Sequence, residues 1–317
     1  MNPSIQRFCD VHVHAASVRA WEQTYSQLTS GRLESTLLQW DGARHQVFRE
    51  YISQRVVQQG VSPRDRVCFA LPVHTPGPIL FQGREADGES LFVLRGGEEF
   101  MFHTPQGTEL LAMNFDRALF EQALDQTPAG QEIRALMRQP VIKLPADHFR
   151  VGRQRLLATF HAGLQPPAAN PPQDPESSLL QEILSLLTDP ACDRRQRHGS
   201  TTQSFIVEKC HRLAMTQALN APKVGELCER LQVSRRTVQN SFRSVAETTP
   251  LHYMRSVRLN GVRRALLSTH PRELSIGDAA AQWGFFHLSH FAADYQELFG
   301  EPPSRTARAV TPRRLDS

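Results

Sequence analysis

Large apolar residues recur at helical spacing through the last third of the chain, and shorter β-type runs fill the middle of its first half. Lys223–Leu231 turns Val224, Leu227, Cys228 and Leu231 to one side, and Arg235–Ala246 does the same with Val238, Phe242 and Val245. Gln232-Val233 forms the turn between them, and Ser234 reads as the N-cap of the second helix. Pro250–Ser268 reads as one long helix with proline in its first turn. Its stripe carries Leu251, Met254, Leu259, Val262, Ala265 and Leu266, with Arg255 and Arg258 on the same side, as ion pairs or as phosphate contacts past the helix edge. A second helix pair follows. Ile276–Trp283 is alanine-rich, and His287–Phe299 repeats Leu288, Phe291, Tyr295, Leu298 and Phe299 before Gly300 and Pro302-Pro303 end it. Two helices meeting at a short turn form the helix-turn-helix layout, which lays its second helix in the major groove. The 19-residue spacer spans about 28 Å at ~1.5 Å per residue, comparable to the ~34 Å between successive major-groove faces.

The order Ile276…Ala280…Gly284-Phe285…His290-Phe291…Phe299-Gly300…Pro303, with Arg258-Leu259…Ala265…Leu267 before it, resembles the AraC/XylS transcriptional regulators. Within that family, three stretches are similar to regulators of ethanolamine-utilisation operons: Val233–Thr237, Gln282–Phe285 and Asp294–Phe299. Ala20–Gln23 and Val47–Tyr51 extend the likeness toward the N-terminus. The resemblance implies double-stranded DNA as partner, a small-molecule effector, and RNA polymerase as a further partner of an activator. It also implies ethanolamine as effector, with adenosylcobalamin beside it, and no obligatory cofactor. Arg236, Gln239 and Asn240 fall at base-reading positions of the family. Arg235, Arg243, Ser289 and His290 are supporting contacts. Arginine suits guanine edges, and glutamine or asparagine suits adenine. The outward face of His287–Phe299 is poorer, with Ser289, His290, Ala292, Ala293 and the negative Asp294, so the first unit is expected to dominate specificity.

In the first half, β-rich runs span Leu33–Trp40, Gln46–Val57, Arg66–Val73, Ile79–Phe81, Ser90–Leu94, Glu99–His103 and Thr108–Phe115. About seven strands separated by turn residues suggest an antiparallel sandwich or barrel, of the cupin kind that encloses a ligand cavity. Helical patterns follow over Asp116–Gln126, Gln131–Arg138, Phe149–Ala162 and Glu176–Leu187. The last carries Leu179, Leu180, Ile183, Leu184 and Leu187, either a homodimer seam or packing on its own barrel. The expected fold is α+β. A cupin-like antiparallel β-barrel with helices makes an effector-sensing and dimerisation domain over 1–188, a polar linker covers 189–203, and an all-α double helix-turn-helix domain covers 204–310. That last part has its own apolar pattern, so a fragment from Gln203 onward is expected to fold and to bind DNA. The proline-rich Gln165–Pro175 reads as an exposed loop.

Charge follows the same division. Of 36 Lys+Arg and 32 Asp+Glu, residues 201–317 hold 16 basic against 10 acidic, and residues 1–200 hold 20 against 22. Positive charge thus gathers with the helix pairs, as phosphate binding requires. Five scattered cysteines give neither a disulfide framework nor a zinc pattern. With no apolar segment near the ~20 residues that span a bilayer, the expectation is a cytoplasmic protein without membrane contact.

The enzyme alternative rests on Asp10-Val11-His12-Val13-His14. On a strand, His12 and His14 point the same way and can hold one metal, as a metal-dependent hydrolase requires. Such α/β barrels take about 250 residues, which the first 200 cannot supply. No GxSxG, P-loop or GxGxxG run is present, and no catalytic constellation or metal site is expected.

Overall fold

A computed structural model describes residues 3–165, 175–188, 202–216, 219 and 222–308. The expected loop over Gln165–Pro175 and linker over 189–203 lie mostly outside these. The chain forms two compact units, one of Met1–Tyr25 with Glu34–Gly199, the other of Ser200–Ser317 with Ser26–Leu33.

The first unit begins with β1 (Ser4–Phe8), α1 (Val11–Ser17), β2 (Glu22–Gln27) and β3 (Ser35–Asp41). It continues through β4 (His45–Ile52), β5 (Val56–Val61), β6 (Arg66–His74), β7 (Ile79–Phe81), β8 (Arg84–Ala86), β9 (Ser90–Arg95), β10 (Glu99–Thr104) and β11 (Thr108–Asp116). Helices α2 (Arg117–Asp125) and α3 (Gly130–Leu136), strand β12 (Val141–Lys143), and helices α4 (Ala146–Gly163) and α5 (Pro175–Thr188) complete it. The strands form a seven-stranded sheet, β1-β3-β4-β11-β6-β9-β12, and a five-stranded one, β2-β5-β10-β7-β8. Each sheet keeps two edges, so the cupin-like barrel expected from the strand pattern is not closed.

Strand alternation builds three layers. On β11, Leu111, Met113 and Phe115 share one face and join Phe120, Ile133, Phe149 and Phe160 of the helices in one core. The opposite face of the same sheet, with Cys68, Phe92, Leu94 and Leu110, meets Ile79, Phe81, Phe100 and Phe102 of the five-stranded sheet. The stripe of α5 belongs to the helical core: Leu179 and Ile183 are at 0% exposure. It packs on α4 and the sheet rather than forming a dimer seam. The single run expected over Gln46–Val57 is two strands, β4 and β5, in different sheets. The chain bends at Ser53-Gln54 with no glycine or proline to announce it.

His12 and His14 sit on helix α1, not on a strand. Asp10 caps it, its Oδ1 accepting from the His12 and Val13 N–H groups at 2.7 and 3.1 Å. Residues two apart on a helix do not face each other, so the pair cannot present a shared metal edge. Among the described residues no cluster of three His, Cys, Asp or Glu side chains is arranged to hold a metal ion.

The second unit contains α6 (Thr202–Thr216), α7 (Val224–Leu231), α8 (Arg235–Ala246), α9 (Pro250–Ser268), α10 (Ile276–Gln282), α11 (Leu288–Phe299) and a 3-10 turn at Pro303–Arg305. Helix α9 is its axis and is buried nearly all round, as a central helix must be. Its first half packs on α6 and α8 through Tyr253, whose ring meets Phe242 at 5.0 Å. Its second half gives Leu259, Val262 and Leu266 to a core with Ala279, Ala280, Phe291, Tyr295 and Leu298. Leu251 and Leu288, expected inward, are 64% and 53% exposed. Among the described residues, no helix is long and apolar enough to cross a membrane.

Candidate nucleic-acid interface

Local chemistry sets both helix pairs. Helix α7 ends at Gln232 in the left-handed region, φ 53°. After the turn, Ser234 accepts the Thr237 N–H at 3.0 Å and starts α8. In the second pair Ser275 caps α10 by accepting from the Asp278 N–H at 3.0 Å, and Gly284 turns the chain at φ 75°.

With Val238, Phe242 and Val245 buried, α8 exposes Arg235, Arg236, Gln239, Asn240 and Arg243 on one side. The helix carries no carboxylate, so this surface is a positive ridge with amide donors and acceptors at its centre. Its Arg235 and Arg236 lie in the first turn, the part of a recognition helix that reaches base edges. On α11, Ser289 and His290 are exposed beside Phe286 and Leu288. Asp294 is not a free negative charge, because Arg255 Nη1 lies 3.2 Å from its Oδ1. Arg255 is therefore a structural partner of α11.

Arg258 also serves the core rather than the surface. Its guanidinium lies 4.5 Å from the Phe285 ring centroid, and burial together with nearby Arg255 lowers its pKa. Arg263 was not legible as special, since only its three-dimensional partners mark it. It donates to Glu301 at 2.8 Å and Tyr295 Oη at 3.3 Å, and it stacks on Phe299 at 4.5 Å. His211 of α6 is likewise marked only by its three-dimensional partners. Its Nδ1 meets Tyr253 Oη at 2.9 Å, and burial, then the charges of Arg212 and Arg264, push its pKa down to about 3.

The first unit holds a small cavity of about 50 Å³ between its sheets, walled by Trp21, Phe48, Phe100 and Phe102. Glu50 stands at its polar end. Tyr25 Oη and Gln58 Nε2 donate to Glu50 at 3.0 Å each, and His14 Nε2 lies 3.2 Å away. Burial and the neighbouring Glu50 hold the Tyr25 phenol well above its ordinary pKa.

Residues 227–309 match the family model described as a helix-turn-helix domain. Over 87 residues the chain is 32% identical to the probable thc operon regulatory protein of Rhodococcus erythropolis, covering 27% of this chain and 26% of that protein. Over 82 residues it is 39% identical to a XylDLEGF operon transcriptional activator of Pseudomonas putida, covering 26% of each. The chain thus spans about a quarter of the length of these curated relatives. Among solved structures, the AraC-like transcriptional activator CuxR aligns over 89% of this chain and 100% of its own at 13% identity, with a TM-score of 0.41. Residues 227–309 are a helix-turn-helix domain similar to those of operon transcriptional activators.

Proposed function

We propose that this chain is a sequence-specific DNA-binding transcription regulator of the AraC/XylS kind, in which α8 reads base edges. The observation that carries the reading is the solvent-facing ridge of α8, arginines around Gln239 and Asn240, in a domain whose relatives are named as operon activators. Arg236, Gln239 and Asn240 take the base-reading role. Arg235, Arg243, Ser289 and His290 add phosphate or shape contacts. As an activator the protein would also touch RNA polymerase, and a homodimer would place two such domains on one operator.

The cavity of the first unit is the site we assign to a small-molecule effector, since its walls are apolar and a few polar groups converge at one end, the usual make-up of a ligand site; its size restricts that effector to a very small molecule. Ethanolamine, the effector that the ethanolamine-operon resemblance suggests, would place its ammonium against Glu50. A corrinoid is far larger than the cavity, so adenosylcobalamin would need another surface.

Selection of binding sites from a random DNA pool with the full chain tests the reading. A recovered motif whose affinity falls steeply with salt is the expected result, because phosphate contacts release counterions. A pool with no enrichment at low salt overturns it.

A further inference from the structure

The end of α11 and the middle of α9 leave polar groups that their own helices do not satisfy. A helix finishes with four carbonyls lacking intrahelical donors. Gly300 N–H returns to Gln296 O at 2.9 Å, and the carbonyls of Glu297 and Leu298 come after it. Asn260 sits inside α9 at 0% exposure, where an amide is costly unless fully bonded.

Both needs are met by Ser26–Leu33, the early segment that belongs to the second unit. The Gln27 N–H donates to Asn260 Oδ1 at 2.9 Å, and Asn260 Nδ2 donates back to Gln27 O at 2.8 Å and to Ser256 O at 2.7 Å. Gln27 Nε2 donates to Leu298 O at 2.7 Å and also to Gly31 O at 2.7 Å, which closes the segment on itself. Gly31 N–H then reaches Glu297 O and Leu298 O at 3.2 and 3.1 Å. Its φ of 113° is a left-handed conformation that favours glycine. On the facing side, a Cβ on Gly300 would lie 3.0 Å from Arg32 N, so glycine is needed there too.

The strand that leads into this segment is β2, which also gives Gln23 and Tyr25 to the cavity wall. Only Ser26 separates Tyr25, whose hydroxyl bonds Glu50, from Gln27, whose peptide bonds Asn260.

We propose that Ser26–Leu33 is an in-chain clamp of the helix-turn-helix unit, tying α9 to the C-terminal end of α11, and that β2 conveys the state of the cavity to it. The regulatory half rests on the cavity being the effector site. A ligand that moves Tyr25 changes the setting of Gln27, and with it how firmly α11 is held; differential affinity for the two settings is all that coupling requires.

The test uses the full chain. Gln27→Leu removes the side-chain donor to Leu298 while sparing the peptide bonds to Asn260. It should speed hydrogen exchange at Gly31 and across 297–300, and weaken binding to a selected DNA site about fivefold to tenfold, the scale of one lost hydrogen bond. Unchanged exchange and unchanged affinity would overturn the clamp. Asn260→Ala, combined with Gln27→Leu, should weaken binding by less than the product of the single effects, because both act through one segment; a full product overturns that unity. Tyr25→Phe, made inside the cavity, should alter exchange at Gly31. A change confined to the first unit overturns the link through β2 and leaves the clamp standing. If the wild-type chain enriches no DNA, the regulator reading falls, while the exchange measurements still decide the clamp.

Discussion

Gly261 of α9 lies so close to Trp283 at the end of α10 that a β-carbon built on it would fall 2.3 Å from the indole ring. The missing side chain is what lets the two helices cross there. Gly261→Ala should destabilise the second unit by about 1–3 kcal/mol, the usual cost of overpacking a core. Urea unfolding followed by helical circular dichroism measures it, and an unshifted midpoint would show that the indole can simply move aside.

The exposed row on α8 predicts a division of labour between the recognition helices. Arg236→Ala or Gln239→Ala should cost about 1–3 kcal/mol and relax preference at one base position. Ser289→Ala should cost much less. Site selection with each variant is the measurement. A motif left intact by Gln239→Ala but halved by His290→Ala would transfer the reading role to α11.

His211 makes the second unit acid-sensitive. Its pKa falls from 6.5 to about 3 on folding, so the unfolded chain binds the proton more readily. Its contribution is fully present above pH 6.5 and is lost as pH drops from there toward 3. Thermal unfolding between pH 7 and 4 should show a falling midpoint for the helical unit. His211→Gln should flatten that dependence, and an equally steep slope in the variant would assign the effect to other groups.

A fragment beginning at Thr202 carries α6–α11 but not Ser26–Leu33. It should be helical, yet melt below the same unit in the full chain, because Asn260 and the last carbonyls of α11 lose their partners. Differential scanning calorimetry of the fragment and of the full chain compares them directly. Equal midpoints would mean that water replaces the segment without loss.

Ethanolamine should raise the melting temperature of the first unit if it binds the folded cavity alone. Glu50→Gln should remove that rise, since the carboxylate is the only anionic group proposed for the ammonium. The absence of any shift or titration heat with the wild type would discard ethanolamine and leave the DNA-binding reading in place.

The helix pairs were written plainly in the sequence because their determinants are local. Period-3.6 stripes, the caps Ser234 and Ser275, and the stop at Gly300 each act within a few residues, and α8 and α9 begin and end where those signals put them. Burying Val238 and Phe242 also fixes which side of α8 meets solvent, so the exposed row of arginines and amides followed from periodicity alone. Tertiary structure decided what pattern could not. Leu288 reads as core by spacing yet faces out, and whether Arg255 makes an ion pair or reaches a phosphate is open in the sequence until Asp294 is found beside it. Two open sheets replaced the expected closed barrel because strand pairing is a long-range choice, and the bend at Ser53-Gln54 that sends β4 and β5 to different sheets has no turn residue to mark it. His12 and His14 became helical because one hydrogen-bonding cap at Asp10 outweighed the β-type alternation around them. Asn260 is the clearest case: an ordinary polar residue within a helix, its role appears only when Gln27, 233 positions away in sequence, supplies both a donor and an acceptor.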